Sequence, residues 1–227
     1  MMDLLLWGIF PYIILTIFVG GLIYRYQKDQ FGWTTKSSEL LEKKQLRWGS
    51  ILFHFGIIFV FGGHVLGLII PVELYHALGI TEHMYHLVAI GFGIPAGIAA
   101  LIGMILLTWR RISVKRIKAT TSPSDWVALI FVLAAITTGI TATSLNVDSH
   151  GFDYRTTIAP WLRGLFYFHI QPELMVDVPI WFKIHIYTTF SLYVVFPFTR
   201  LVHVFSLPIR YLGRSFVIYK RRVRHSN

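Results

Sequence analysis

The 227 residues are 55% hydrophobic and only 14% charged, with a mean hydropathy of +0.60 and no cysteine. Soluble globular chains are far less apolar, and the missing cysteine excludes disulfides, thiolate-held iron–sulfur clusters and cysteine-ligated zinc within this chain. The formal charge of +10 lies in blocks between apolar runs, which fits membrane topology and a surface for anionic lipid or a partner rather than nucleic-acid binding.

Crossing a hydrocarbon layer of about 30 Å takes about 20 apolar residues in a helix. Five runs reach that length, at about 4–24, 48–70, 85–109, 126–145 and 178–205. Backbone polar groups must be satisfied internally in lipid, and the runs do not alternate, so they read as helices rather than barrel strands. The expected fold is all-α, one polytopic membrane bundle of five transmembrane helices over residues 1–227, with a basic cytoplasmic tail at 206–227. No internal repeat or low-complexity tract interrupts it.

The first run lacks a basic leader and a small-residue cleavage site, so it is expected to be a retained span. The loop that follows carries Arg25, Lys28, Lys36, Lys43, Lys44 and Arg47. The second run holds His54 and His64, with Gly62, Gly63 and Gly67 about the latter. Before the third run come His76, Glu82 and His83, and His86 opens it. Gly91, Gly93, Gly97 and Gly103 lie within it, beside Pro95. Such glycines let helix backbones, or a flat porphyrin, approach closely. Arg110, Arg111, Lys115, Arg116 and Lys118 separate the third and fourth runs, and the fifth carries His185, Pro197 and His203 ahead of the basic tail. The great majority of the 21 basic residues thus fall on one side, which by the positive-inside rule places the N-terminus outside and the C-terminus in the cytoplasm.

An imidazole in lipid is costly unless its nitrogen is used, so an ionisable residue inside a span marks a functional site. An interhelical hydrogen bond is the plain alternative for any one histidine; four at paired depths argue against it. Topology pairs His64 with His185 at the outer end and His54 with His203 at the inner end. The fit is imperfect, because ten residues rise about 15 Å along a helix and 18 rise about 27 Å. A kink near Pro197 or helix tilt must absorb the difference. Two-histidine sites without carboxylates suit axial ligation of haem better than a closed zinc site, which takes four ligands. Thr188, Ser191 and Thr199 are hydroxyl candidates for the second imidazole nitrogen, unless each bonds its own helix carbonyl. Arg200 and Lys183 are candidate haem-propionate partners or snorkelling cations.

The stretches Phe53-His54-Phe55-Gly56, Gly63-His64-Val65-Leu66-Gly67, His185-Ile186-Tyr187 and Phe196-Pro197-Phe198-Thr199-Arg200-Leu201-Val202-His203 resemble the gamma subunit of respiratory nitrate reductase. Tyr24-Arg25-Tyr26, Ser37-Ser38, Arg110-Arg111, Ala119-Thr120-Thr121 and Ser206-Leu207-Pro208 extend the resemblance along nearly the whole chain. It implies two b haems with bis-histidine ligation, in a bacterial cytoplasmic membrane. His64 and His185 would hold the outer haem, His54 and His203 the inner one. Quinol, menaquinol or ubiquinol, would be oxidised near the outer haem, and electrons delivered to an iron–sulfur beta subunit and a molybdenum-containing alpha subunit that reduces nitrate. Members from enterobacteria carry lysine near the start of the third span, where this chain has Met84. His86 and then His83 are the expected proton acceptors, while His150, His169 and His225 are expected to be ordinary exposed residues. The dihaem subunit of a formate dehydrogenase or hydrogenase is an alternative, as is a haem-free transporter or scaffold. The last should show paired charges in mid-membrane, and the runs hold almost none.

Overall fold

A computed structural model describes residues 1–29, 33, 41–147 and 152–205. Ser37, Ser38, His150, His225 and the tail at 206–227 lie outside the described residues, with most of the first basic loop. No strand occurs among the described residues, and the helices in chain order are α1 (Met2–Lys28), α2 (Lys44–Ile69), α3 (Val72–Ala77), α4 (Glu82–Ser113), α5 (Lys115–Thr120), α6 (Pro123–Ser144), α7 (Ile158–Phe166) and α8 (Ile180–Val195). Four of them, α1, α2, α4 and α6, are long and apolar enough to cross a membrane.

The fifth expected span takes a different form. Its α-helix stops at Val195 and continues as two 3₁₀ turns, Phe196–Phe198 and Arg200–Phe205. Pro197 has no N–H to continue the α ladder, and Thr199 is extended at φ −120° and ψ 179°. The 16 α-helical residues reach about 24 Å, and the tighter, steeper 3₁₀ turns lengthen the segment further.

Local chemistry sets the boundaries. α6 opens with a capping box in which the Ser122 hydroxyl accepts from Asp125 N and the Asp125 carboxylate accepts from Ser122 N, with Pro123 in the first turn. Such a box satisfies two otherwise orphaned donors. Thr81 caps α4 through Met84 N. α1 and α2 each contain one π turn, at Leu5–Ile9 and Val65–Ile69. The wider turn leaves carbonyls open to side chains: Trp161 Nε1 donates to Trp7 O at 2.8 Å, Tyr75 Oη to Leu66 O at 2.7 Å and Arg163 to Leu68 O at 3.0 Å.

Packing rests on small residues and aromatics. A Cβ on Gly56 would lie 2.5 Å from Ala100 N and 2.6 Å from Ala96 O, and one on Gly103 would overlap the backbone of Phe53. α2 and α4 therefore meet backbone to backbone, as membrane helices do where dispersion replaces the hydrophobic effect. Gly62, Gly63, Gly91 and Gly93 have open space where a Cβ would stand, so helix packing does not use them. One buried cluster joins α1, α7 and α8 through Trp7, Ile14, Trp161, Leu165 and Phe190, and another joins α4 to α6 through Ala100, Met104, Val132 and Ile136. Outside these clusters the long helices present an apolar surface, with Ile58, Phe61, Phe92 and Ile130 all more than 60% exposed. A continuous apolar belt of this kind is a lipid-facing surface.

Candidate functional site

The four histidines of the hydrophobic runs meet in two pairs. The rings of His54 and His203 have centroids 6.2 Å apart at 73°, and those of His64 and His185 are 6.1 Å apart at 46°. This is the pairing expected from sequence. The pairs form although ten residues separate the histidines on α2 and 18 separate them on the last segment, whose α-helix ends before His203 on the second 3₁₀ turn.

In every ring Nδ1 is engaged within the protein. His54 Nδ1 donates to Ser50 O at 2.8 Å, His64 Nδ1 to Val60 O at 2.8 Å and His203 Nδ1 to Arg200 O at 2.7 Å. A carbonyl can only accept, so the proton sits on Nδ1 and the lone pair of Nε2 is left for another group. His185 differs: its Nδ1 meets the Thr138 hydroxyl on α6 at 3.1 Å. Thr188, Ser191 and Thr199 donate instead to the carbonyls of Ile184, Tyr187 and Phe196, so none of the three serves an imidazole.

The donor set fits axial ligation of one metal per pair. A histidine nitrogen binds a first-row metal at about 2.0–2.1 Å and lies roughly 1 Å from its ring centre, so two rings facing one ion have centroids about 6 Å apart. Among the described residues, no three His, Asp or Glu side chains gather as a metal cluster. Each pair therefore offers two ring nitrogens and no further protein ligand among the described residues, a donor set that would suit a haem better than a closed four-ligand site.

The His54 end is held by charge. Arg25 on α1 donates to Pro197 O and Thr199 O, both at 2.7 Å, clamping the carbonyls freed where α8 breaks. Arg200 Nε donates to Asp125 Oδ1 at 2.6 Å, and Arg111 lies 3.8 Å from the same carboxylate. Arg200, a candidate from sequence for a haem propionate or for snorkelling, has a protein partner through Nε and ties the 3₁₀ turn of His203 to the start of α6. Nearby, Arg110, 2% exposed, bonds the Glu42 carboxylate through Nε at 2.7 Å and its carbonyl at 2.6 Å. Burial works to raise the Glu42 carboxyl, but bonds from Gln45 N, Arg110 and Leu46 N outweigh it and hold it below the ordinary value.

Aromatics and hydroxyls hold the His64 end. The hydroxyls of Tyr85 and Tyr154 share a hydrogen bond of 2.9 Å, directly over Gly67. Arg155 lies 4.0 Å above the Tyr85 ring and pairs with Glu82 and Asp153, a cation–π contact fixed by carboxylates. Burial pushes against its charge, but Asp153 and Glu82 more than compensate, so Arg155 is held above its ordinary value. His76 meets the other Glu82 oxygen at 3.2 Å. Lys183 donates to Val176 O at 2.8 Å, closing its own turn.

His83 and His86 lie in the first turns of α4, the former exposed and the latter half-buried. Neither makes a side-chain hydrogen bond among the described residues. They share a face about 100° round the helix from Glu82 and Tyr85, which are the residues that face the neighbouring loops. Sequence reading missed Thr138, Asp125 and the Tyr85–Tyr154 pair as supports. Asp125 carried a signal, as a lone carboxylate opening an apolar run, whereas one threonine in a helix rich in threonine carried none.

The family model for the nitrate reductase gamma subunit matches residues 3–222. The chain belongs to the nitrate reductase gamma subunit family. It is 59% identical to the nitrate reductase gamma chain of Bacillus subtilis over 218 residues, 96% of this chain and 98% of that one. It is 29% identical to the respiratory nitrate reductase 1 gamma chain of Escherichia coli, again over 98% of the relative. The nitrate reductase-like protein NarX of Mycobacterium tuberculosis matches at 41% over 98% of this chain, which spans 34% of that longer protein. Membership makes this a membrane protein and a subunit of a respiratory nitrate reductase, an oxidoreductase complex. It also decides against the formate dehydrogenase, hydrogenase and transporter readings.

Proposed function

We propose that this gamma subunit is the dihaem, quinol-oxidising anchor of its complex in a bacterial cytoplasmic membrane. It crosses the membrane five times, its last crossing being α8 with the 3₁₀ turns, with the N-terminus outside and the C-terminus inside. The observation that carries the reading is the two facing histidine pairs, each ring with Nδ1 engaged and Nε2 free. His64 and His185 would hold an outer haem b, and His54 and His203 an inner one. When bound, the two haems supply stepwise one-electron transfer between the membrane faces.

The other tasks fall to the chain's own residues. Quinol binds near the outer pair, and His86, with His83 second, accepts its protons at the exterior end of α4, where His83 is exposed and His86 half-buried. Glycines without helix contacts beside His64, Gly62 and Gly63, leave room for a flat ring. At the cytoplasmic end, the basic 25–47 loop, the 110–118 turn and the tail face the beta and alpha subunits and anionic lipid.

Two measurements test this. The purified complex should give two haems per gamma subunit as the pyridine haemochrome. Replacing His54 or His203 should remove the inner one and replacing His64 or His185 the outer. A yield near one haem, or both haems kept in all four variants, overturns the ligand set. In intact cells, nitrate reduction by quinol should acidify the outside, and proton release on the cytoplasmic side instead would move the quinol site to the inner pair.

A further inference from the structure

Three of the four histidines are oriented by a carbonyl of their own segment, but His185 is oriented by another helix. Thr138 on α6 supplies the acceptor, its Oγ1 lying 3.1 Å from His185 Nδ1. The same hydroxyl donates to Ala134 O at 2.9 Å. With its only proton committed there, it faces the imidazole with a lone pair, so the bonds run from Nδ1–H to hydroxyl to carbonyl and Nε2 is left unprotonated. The next residue completes the seat: a Cβ on Gly139 would stand 2.9 Å from His185 Cε1. Consecutive residues of one helix thus contribute the acceptor and the space for the ring.

We infer that Thr138 and Gly139 are positioning residues for the outer centre, and that Thr138 tunes the potential of a haem held by His185 while leaving the inner centre untouched. The inference rests on the dihaem reading above. Hydrogen bonding at the far nitrogen makes an imidazole a stronger donor to its metal, which favours the oxidised ion. Loss of the acceptor therefore favours the reduced one. At the inner centre both imidazoles have a backbone carbonyl at Nδ1 that no side-chain substitution removes, with the Ser50 hydroxyl a further 3.2 Å contact of His54. At His185 the contact is a side chain, which a point substitution deletes.

The test is a redox titration of the whole complex in membranes, following the two haems by their optical and electron paramagnetic resonance signals, for wild type, Thr138→Val, Thr138→Ser and Gly139→Ala. Valine keeps the shape and removes the hydroxyl. A small cavity lined by Thr138, Thr141, Trp181 and Ile184 adjoins the site, so the swap is accommodated. At a fixed ambient potential, T138V should raise the reduced-to-oxidised ratio of the outer haem several-fold with the inner ratio unchanged, and T138S should restore it. G139A should alter the outer resonance signal, which reports ring orientation, and leave the inner signal alone. Loss of the outer haem from T138V, with retention in T138S, reads the same dependence through binding. Two haems with unchanged potentials in T138V, or equal shifts in both, overturn the inference and leave the dihaem reading standing. A wild-type complex without two haems overturns both.

Discussion

The two ends of the bundle reach the same ring separation, 6.2 and 6.1 Å, by opposite means. At the His54 end the ligand-bearing segment is a broken helix, and charged side chains hold it, Arg25 of α1 on its carbonyls and Asp125 of α6 on its Arg200. At the His64 end both histidines sit on α-helix, His64 just before the π turn of α2, and the support is mainly packing: tyrosine hydroxyls over a glycine, an arginine over a ring, a threonine behind an imidazole. A break in the α ladder frees carbonyls that demand donors at both ends: Arg25 meets them after α8, and Tyr75 and Arg163 meet them at the π turn. The larger break takes the charge at its centre, whereas the single wide turn leaves the histidine beside it to be placed by shape.

The largest separation of the two ends should come from Asp125→Ala. It leaves Arg200, and Arg111 beside it, without their shared buried carboxylate, a loss of about 3–5 kcal/mol for a broken buried pair, and removes a capping box as well. The thermal unfolding temperature of the detergent-solubilised complex should fall accordingly, and on the dihaem reading proposed above the spectrum should lose the haem held by His54 and His203 while keeping the other. Equal loss of both would mean the ends are not independently supported.

Gly67→Ala strikes the opposite end. Its Cβ would stand 2.7 Å from the Tyr85 hydroxyl and 2.8 Å from that of Tyr154, and overpacking of this kind costs about 1–3 kcal/mol. The outer haem signal should broaden or shift with the inner one unaffected. An unchanged outer signal would show that the tyrosine pair seals the loops without reaching the site.

The smallest effect is electrostatic and belongs to the charged end. Glu42 is held below its ordinary value in the folded protein, so its contribution is fully present above the unfolded carboxyl value and fades as pH falls through the folded one. With Glu42 partly exposed, the size is at most about 1 kcal/mol. Melting temperatures between pH 7 and pH 4 should drop less for Glu42→Gln than for wild type. Parallel curves would assign the Arg110 contact to the Glu42 carbonyl alone.

The histidine pairing was legible because lipid makes polar residues rare, so four imidazoles stand out and their depths match. Four of the expected runs were legible by length alone. The break after Val195 was half-legible: Pro197 announced a disturbance, but only the carbonyls held by Arg25 show why a full change to 3₁₀ geometry is stable there. The Arg200–Asp125 contact was not legible, because a cation near a span end has several possible partners and Asp125 is far away in sequence. Thr138 could not be read at all. Its role depends on which face of α6 meets α8, and a helix apolar all round, as this one is, gives no periodic stripe to orient it.

Both histidine pairs join the second helix to the last described segment, and Arg25 reaches the same segment from the first helix. In the order in which a ribosome delivers the chain, neither pair can form until the last segment emerges: His64 waits for His185 and His54 for His203. A chain that stops before His185 has neither pair, and one that stops between the two has the first alone, so the two ends of the bundle are completed in a fixed order.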